Sequence, residues 1–190
     1  MRRQRRVFAR GVLSGVALAA LAGCVAAPSA RPARVGAASA VVLPIATRVA
    51  LQVDPAMPDV QTIEFRGATW QYADAHLMQE AAARVFSLVF QEVETQPATT
   101  APAITLQLNG SSSLNPAMNE YYANATVTVF PGADTAVQPI ASIAGAGQAR
   151  LPSFVQDGIA QAYEGAFRQI VELLLADPHF VASLREYRAP

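Results

Sequence analysis

Ala123-Asn124-Ala125-Thr126-Val127-Thr128-Val129-Phe130 is the stretch on which the reading of the fold turns. Ala125, Val127 and Val129 alternate with Thr126, Thr128 and Phe130, the period of two expected of a strand with one covered face. Two further runs of strand character flank it, at 103–108 and 139–149. The polar segment 109–120 joins the first two, and Pro131-Gly132-Ala133-Asp134 turns into the third. Short connections favour antiparallel neighbours.

Outward from these strands the period changes to that of a helix. On the C-terminal side, Ser153 and Gln156 form a capping-box pair, with Leu151 placed as a hydrophobic staple, and a long helix is expected to about residue 176. Val155, Ile159, Ala162, Tyr163, Ala166, Phe167, Ile170 and Leu174 line its apolar side, while Gly158, Ala162 and Gly165 form a small-residue stripe that implies close approach to the sheet. Asp177-Pro178 caps and restarts a short terminal helix, with proline in its tolerated first position. On the N-terminal side, 41–44 and 48–53 read as the first strand, stopping at Asp54-Pro55, and 61–66 as a second that ends at Gly67. Asp74 is placed as the N-cap of a helix running to about residue 93, with Met78, Ala82, Val85, Phe86, Val89 and Phe90 on one stripe. The expected order is β-β-α-β-β-β-α-α, an α+β fold with a mainly antiparallel sheet and two helices packed on one face.

The first 40 residues read differently. Residues 1–10 are basic, 11–20 are apolar and too few to span a bilayer, and Leu21-Ala22-Gly23-Cys24 follows. That tetrapeptide resembles the lipobox of bacterial lipoproteins at all four positions. The resemblance implies a signal peptide over 1–23, cleavage between Gly23 and Cys24, and lipidation of Cys24. Each buried acyl methylene contributes about 0.8 kcal/mol, so two or three chains anchor a protein durably. Val25 stands where the enteric inner-membrane retention signal has aspartate, which by the same resemblance favours the periplasmic face of the outer membrane. The general secretory route is the expected one, with twin-arginine export as the alternative because Arg5-Arg6-Val7-Phe8 partly resembles its signal. Residues 25–40, rich in Ala, Pro, Ser and Arg, read as a flexible tether with a reach of roughly 20 to 25 Å, leaving 41–190 as one domain.

Composition narrows the function. Five of the fourteen arginines lie in 1–10 and there is no lysine, so the chain beyond the cleavage point holds nine arginines against fourteen acidic residues, a net charge of −5. Nucleic-acid binding needs a clustered basic face, which this balance does not supply. Cys24 is the single cysteine, so the body holds itself together by packing without an internal disulfide.

Chemistry-bearing residues are few. His76 and His179 each sit near an expected helix start, where the helix dipole disfavours imidazolium, and read as structural. No HExxH, CxxC, EF-hand loop or GxSxG pattern occurs in 25–190, so no metal, cofactor or catalytic residue is expected. Glu92 and Glu94 read as a solvated strand face, and Gly145-Ala146-Gly147 as a bulge or strand end. Trp70 and Tyr72, in an expected loop after Gly67, and Tyr121-Tyr122, ending another, are either core or partner-contact residues. Exposed aromatics bury much area at low entropic cost, which makes these four the candidate contacts.

The strand at Val49, Leu51 and Val53, the helix from Leu77 to Phe90, the strand 123–130 and the tail 145–176 resemble small proteobacterial outer-membrane lipoproteins of α+β type, including the YajG-like group and auxiliary lipoproteins of ABC-type lipid transport. The resemblance covers about two thirds of the chain and carries over no functional residue. Two roles follow as expectations. One is a non-catalytic binding or assembly factor with an envelope protein partner, of unspecified oligomeric state. The other is a transport auxiliary holding an apolar ligand in a cavity lined by Met78, Phe86 and Phe167.

Overall fold

The alternation at 123–130 belongs to β6 (Glu120–Pro131), which turns its odd-numbered side chains Tyr121, Ala123, Ala125, Val127 and Val129 into the core. β6 pairs antiparallel with β5 (Ile104–Asn115) on one side and β7 (Ala141–Arg150) on the other. Most of the polar segment expected to connect β5 and β6 is therefore strand. Only residues 116–119 turn, helped by Asn119 in the left-handed region (φ 51°). Ser111 and Ser113 are the outward half of that extension, so polarity there marks a wet face and not a loop.

The computed structural model describes residues 44–65, 67–95, 98, 100–150 and 154–186. The expected signal peptide, Cys24, the tether, 41–43, Leu151 and Ser153 lie outside these. The class is α+β as expected, but the sheet is mixed, in the order β4-β1-β5-β6-β7. β1 (Ile45–Val53) lies parallel to both β4 (Phe90–Thr95) and β5. A parallel crossover ordinarily takes a dozen residues or more, yet β4 reaches β5 across β1 through 96–103 alone. Stagger makes this possible: β4 ends with Thr95 beside Leu51, and β5 begins with Ile104 beside Val49. Ala50, on the side of β1 away from the helices, is fully buried, and beside it the Arg48 guanidinium donates to the Ala101 carbonyl at 3.4 Å.

The strand expected over 61–66 is β2 (Gln61–Phe65), but it pairs with β3 (Ala68–Tyr72) in a separate hairpin; β3 and β4 are the two strands absent from the expected order. Trp70 and Tyr72 are thus strand residues, and the loop expected after Gly67 is a tight turn in which Gly67 takes φ +75°. α1 (Asp74–Phe86) ends seven residues earlier than expected. Ser87 bonds back to the Ala83 carbonyl (2.7 Å), and Val89 and Phe90, which continue the helical spacing in sequence, bury their side chains from the turn and from β4. The order is β-β-β-α-β-β-β-β-α-α.

α2 (Val155–Ala176) and α1 cover one sheet face, with α3 (Pro178–Glu186) closing one end through Phe180 and Leu184. Phe154, extended at φ −125° and ψ 146°, holds the cap position of α2 that Ser153 was expected to fill. Asp177 does cap α3, accepting the His179 N–H at 2.9 Å. Between the layers, Phe86 meets Phe167 with ring centroids 5.8 Å apart. The small-residue stripe of α2 does approach the sheet closely. A methyl group added at Gly145 would lie 2.5 Å from the Ala166 carbonyl oxygen, and one at Gly147 would overlap that of Ala162.

Gly147→Ala therefore forces α2 off β7, because the obstructing atoms are backbone and cannot rotate aside. Overpacking of this kind costs about 1–3 kcal/mol, and the upper end is expected in chemical denaturation. An unchanged midpoint would show that α2 does not sit at this depth.

Candidate functional site

Where α1 begins, the interior is polar. Asp74 is the first residue of that helix and has no exposed surface. It is not the expected N-cap; Ala73 holds that place, and the Asp74 carboxylate turns inward. Ser112 of β5 donates to Asp74 Oδ1 at 2.7 Å, and the Tyr163 hydroxyl of α2 donates to Oδ2 at 3.0 Å. The Ser112 proton being committed to Asp74, its oxygen accepts from the Tyr72 hydroxyl at 2.9 Å. One carboxylate thus ties β3, α1, β5 and α2 together through three hydroxyl groups.

Among the described residues no cation takes part in this centre, and burial dominates its electrostatics. Loss of water pushes the Asp74 carboxyl above its ordinary range, while the bonds from Ser112 and Tyr163 pull against that shift. The Tyr163 phenol is pushed well up, first by burial and then by the Asp74 charge, and Tyr72 rises for the same first reason. A carboxylate sealed from solvent cannot meet a substrate, so the centre's work is to hold elements in place. Sequence reading missed it. The only signal was parity: Ser112 and Tyr163 fall on the core-facing repeat of their elements, where a hydroxyl needs a partner.

The four candidate contact residues separate in the structure. Tyr72 and Tyr121 are buried at 4% and 2% exposure and belong to the core, which removes them from the accessible surface. Tyr122 lies half-buried on the uncovered sheet face, its hydroxyl 2.5 Å from Glu120 Oε2, and Arg150 meets the other oxygen of that carboxylate at 2.5 Å. The Tyr122 bond and, less strongly, Arg150 hold the Glu120 carboxyl below its usual range. Trp70 alone presents a large open area, 47% exposed on β3 beside its cross-strand partner Ile63. Gly23 and Cys24 lie outside the described residues.

Elsewhere, His76 is exposed and 3.2 Å from Glu80 one helical turn on, and Glu92 pairs with Arg48 at 2.7 Å on the solvated face of β4 and β1. The expected ligand-cavity residues Met78, Phe86 and Phe167 are fully buried side chains packed into the core. A recess beside them, lined by Phe86, Val89, Phe90, Leu174 and Phe180, has no room for a water molecule. Among the described residues no group of three His, Cys, Asp or Glu side chains is placed to hold a metal ion, and no helix is long and apolar enough to cross a membrane.

No protein-family model matches the chain, and neither does any curated protein. Among solved structures it is similar to a DUF330 protein from Xanthomonas campestris, at 12% identity over 70% of this chain and 83% of that one, with a TM-score of 0.42. It is also similar to a candidate lipoprotein from Caulobacter crescentus (16% identity, 67% of this chain and 87% of that one, TM-score 0.34). A minor lipoprotein from Acinetobacter baumannii is the third (12% identity, 70% and 92%, TM-score 0.32).

The Asp74 centre has a definite pH signature. In the unfolded chain Asp74 releases its proton at the ordinary aspartate value, whereas the native carboxyl keeps it to higher pH. Between those two values the native state binds the extra proton, so stability is greatest below the window and declines as pH rises through it. Asp74→Asn is expected to fold and to lose this decline in urea titrations run across the window. Asp74→Ala strands the Ser112 and Tyr163 hydroxyls and is expected to cost about 1–3 kcal/mol. A wild-type pH profile identical to that of Asp74→Asn would contradict the account.

Proposed function

We propose that the chain is a lipid-anchored, periplasm-facing envelope protein, held at the outer membrane through Cys24, that acts as a non-catalytic binding or assembly factor. The anchor rests on the match of Leu21-Ala22-Gly23-Cys24 to the lipobox. Binding in place of catalysis rests on how polar groups are spent: the Asp74, Ser112, Tyr72 and Tyr163 side chains are sealed in the core, each bonded to another of the set.

The observation that carries the binding role is the hairpin of β2 and β3. The two strands pair with each other and meet the core through Tyr72 and Ile63, while four of the five β3 residues are exposed. A rigid aromatic side chain displayed on such an arm has the character of a contact anchor, since tryptophan is enriched among residues that dominate interfaces.

Intact mass spectrometry of the protein extracted from membranes tests the anchor: Cys24→Ser is expected to abolish the acyl mass and to move the protein out of the membrane fraction. Capture from crosslinked cells tests the contact. Trp70→Ala is expected to reduce partner recovery by roughly tenfold or more, as for loss of a hot-spot residue of at least about 2 kcal/mol, while Tyr122→Phe leaves it unchanged. Equal recovery with and without Trp70 would sink the assignment of the hairpin as the contact element.

A further inference from the structure

Among the described residues, β3 has a strand on one side only, β2, and its other edge is unpaired. Natural edge strands block unwanted pairing with charges, prolines or bulges, yet Ala68-Thr69-Trp70-Gln71-Tyr72 carries none of these, and its register with β2 is unbroken from Gln61↔Tyr72 to Phe65↔Ala68. Only residues 66 and 67 separate the partners Phe65 and Ala68, so that pair is the hydrogen-bonded one that closes a two-residue hairpin. Alternation then assigns the backbone groups. Ala68, Trp70 and Tyr72 exchange bonds with β2, while the N–H and C=O of Thr69 and Gln71 point outward along the free edge.

We propose that this edge pairs with β3 of a second copy of the chain, antiparallel and centred on Trp70. In that register Thr69 of each copy exchanges both backbone bonds with Gln71 of the other, so all four outward groups on each strand find a partner. Trp70 stands opposite Trp70 in the non-hydrogen-bonded position, where side chains come closest and aromatic pairs are favoured. Three points select a second copy as occupant. The strand reads polar-aromatic-polar about Trp70, so it is complementary to itself under a two-fold axis, the commonest symmetry of soluble oligomers. It bears no charge, so self-pairing brings no like charges together. A two-stranded hairpin is marginal by itself, whereas β2-β3-β3-β2 makes a four-stranded sheet. The inference rests on the proposed reading only in taking Trp70 as a contact; it is independent of the lipid anchor.

Register-specific crosslinking of the full chain in cells tests it, with wild type, whose single cysteine is Cys24, as background. Facing Cα atoms in the central pair lie about 4.5 Å apart, inside the disulfide range of about 4.4–6.8 Å. Trp70→Cys is expected to give covalent dimer under mild oxidation at a level several-fold above Thr69→Cys alone or above Leu88→Cys, an exposed position elsewhere. Thr69→Cys and Gln71→Cys co-expressed are expected to crosslink to each other. Adding Thr69→Pro to Trp70→Cys is expected to abolish the dimer, because proline removes only an outward N–H and an edge strand tolerates it. Equal crosslinking at all positions, or survival of the dimer with proline present, overturns the proposal. An adduct between Trp70→Cys and a different protein overturns self-pairing while supporting the hairpin as a contact element, and absence of any adduct counts against both.

Discussion

The backbone of α2 rests on the backbone of β7, and at Gly147 there is no space between them for a methyl group. That contact fixes how deep the helix lies. Ala162 meets the strand, and its neighbour Tyr163 is carried to the height at which its hydroxyl reaches Asp74. One turn further, Ala166 meets Gly145 and Phe167 is brought against Phe86. Gln169 also accepts the outward Ala146 N–H at 2.8 Å, so the helix covers part of the free edge of β7 as well as its face. A bulkier residue at 145 or 147 would lift all three rows together, because they share one rigid helix.

Given that depth, the Asp74 centre answers a geometric problem. The start of α1, the end of β3, the middle of β5 and α2 converge where the sheet face has only Gly110 and Ser112 to offer, and at Gly110 Met78 and Tyr163 already fill the space above the backbone. A buried lone carboxylate is costly, and hydroxyl donors offset that cost without bringing in a long cationic side chain. The N-terminus of α1 contributes as well, since its free N–H groups and dipole favour a negative charge at the first helical residue. Arginine pairs are kept outside instead, as Arg84 with Glu164 between the helices and Arg48 with Glu92 on the sheet.

How far the sequence could be read follows from the range of each interaction. The stripe from Val155 to Leu174 and the alternation of 123–130 are local patterns, and α2 and β6 stand where those patterns put them. The end of α1 could not be read the same way. Val89 and Phe90 keep the spacing of three and four, because a turn followed by a strand entering the same core also needs apolar residues there. The interior place of β1, between β4 and β5, was equally hidden: parallel pairing depends on which distant strands flank it, and Val49-Leu51-Val53 alternates identically in either sheet. Tyr72 and Tyr121 border polar segments, so they read as loop residues until pairing with Gln61 and Ala149 fixes their direction. Gly67 did carry a signal, since the left-handed turn it makes brings 61–65 and 68–72 together.

The surface left over is uneven in a way that bears on binding. The sheet face away from the helices shows Gln107, Asn109, Ser111, Ser113, Asn124, Thr126, Thr128 and Ser142, hydroxyls and amides that water satisfies, with Thr128 and Ser142 also within 3.2 Å of each other. The charged groups on that face are spent on each other, Arg48 with Glu92 and Arg150 with Glu120. Leu88, Met118 and Phe154 are exposed in turns or at a helix end, and Leu173 on α2. Trp70 is, among the described residues, the large exposed apolar side chain that sits on a strand with backbone groups free beside it. Apolar area and directional bonding coincide there, and that coincidence separates a specific contact from a merely sticky one.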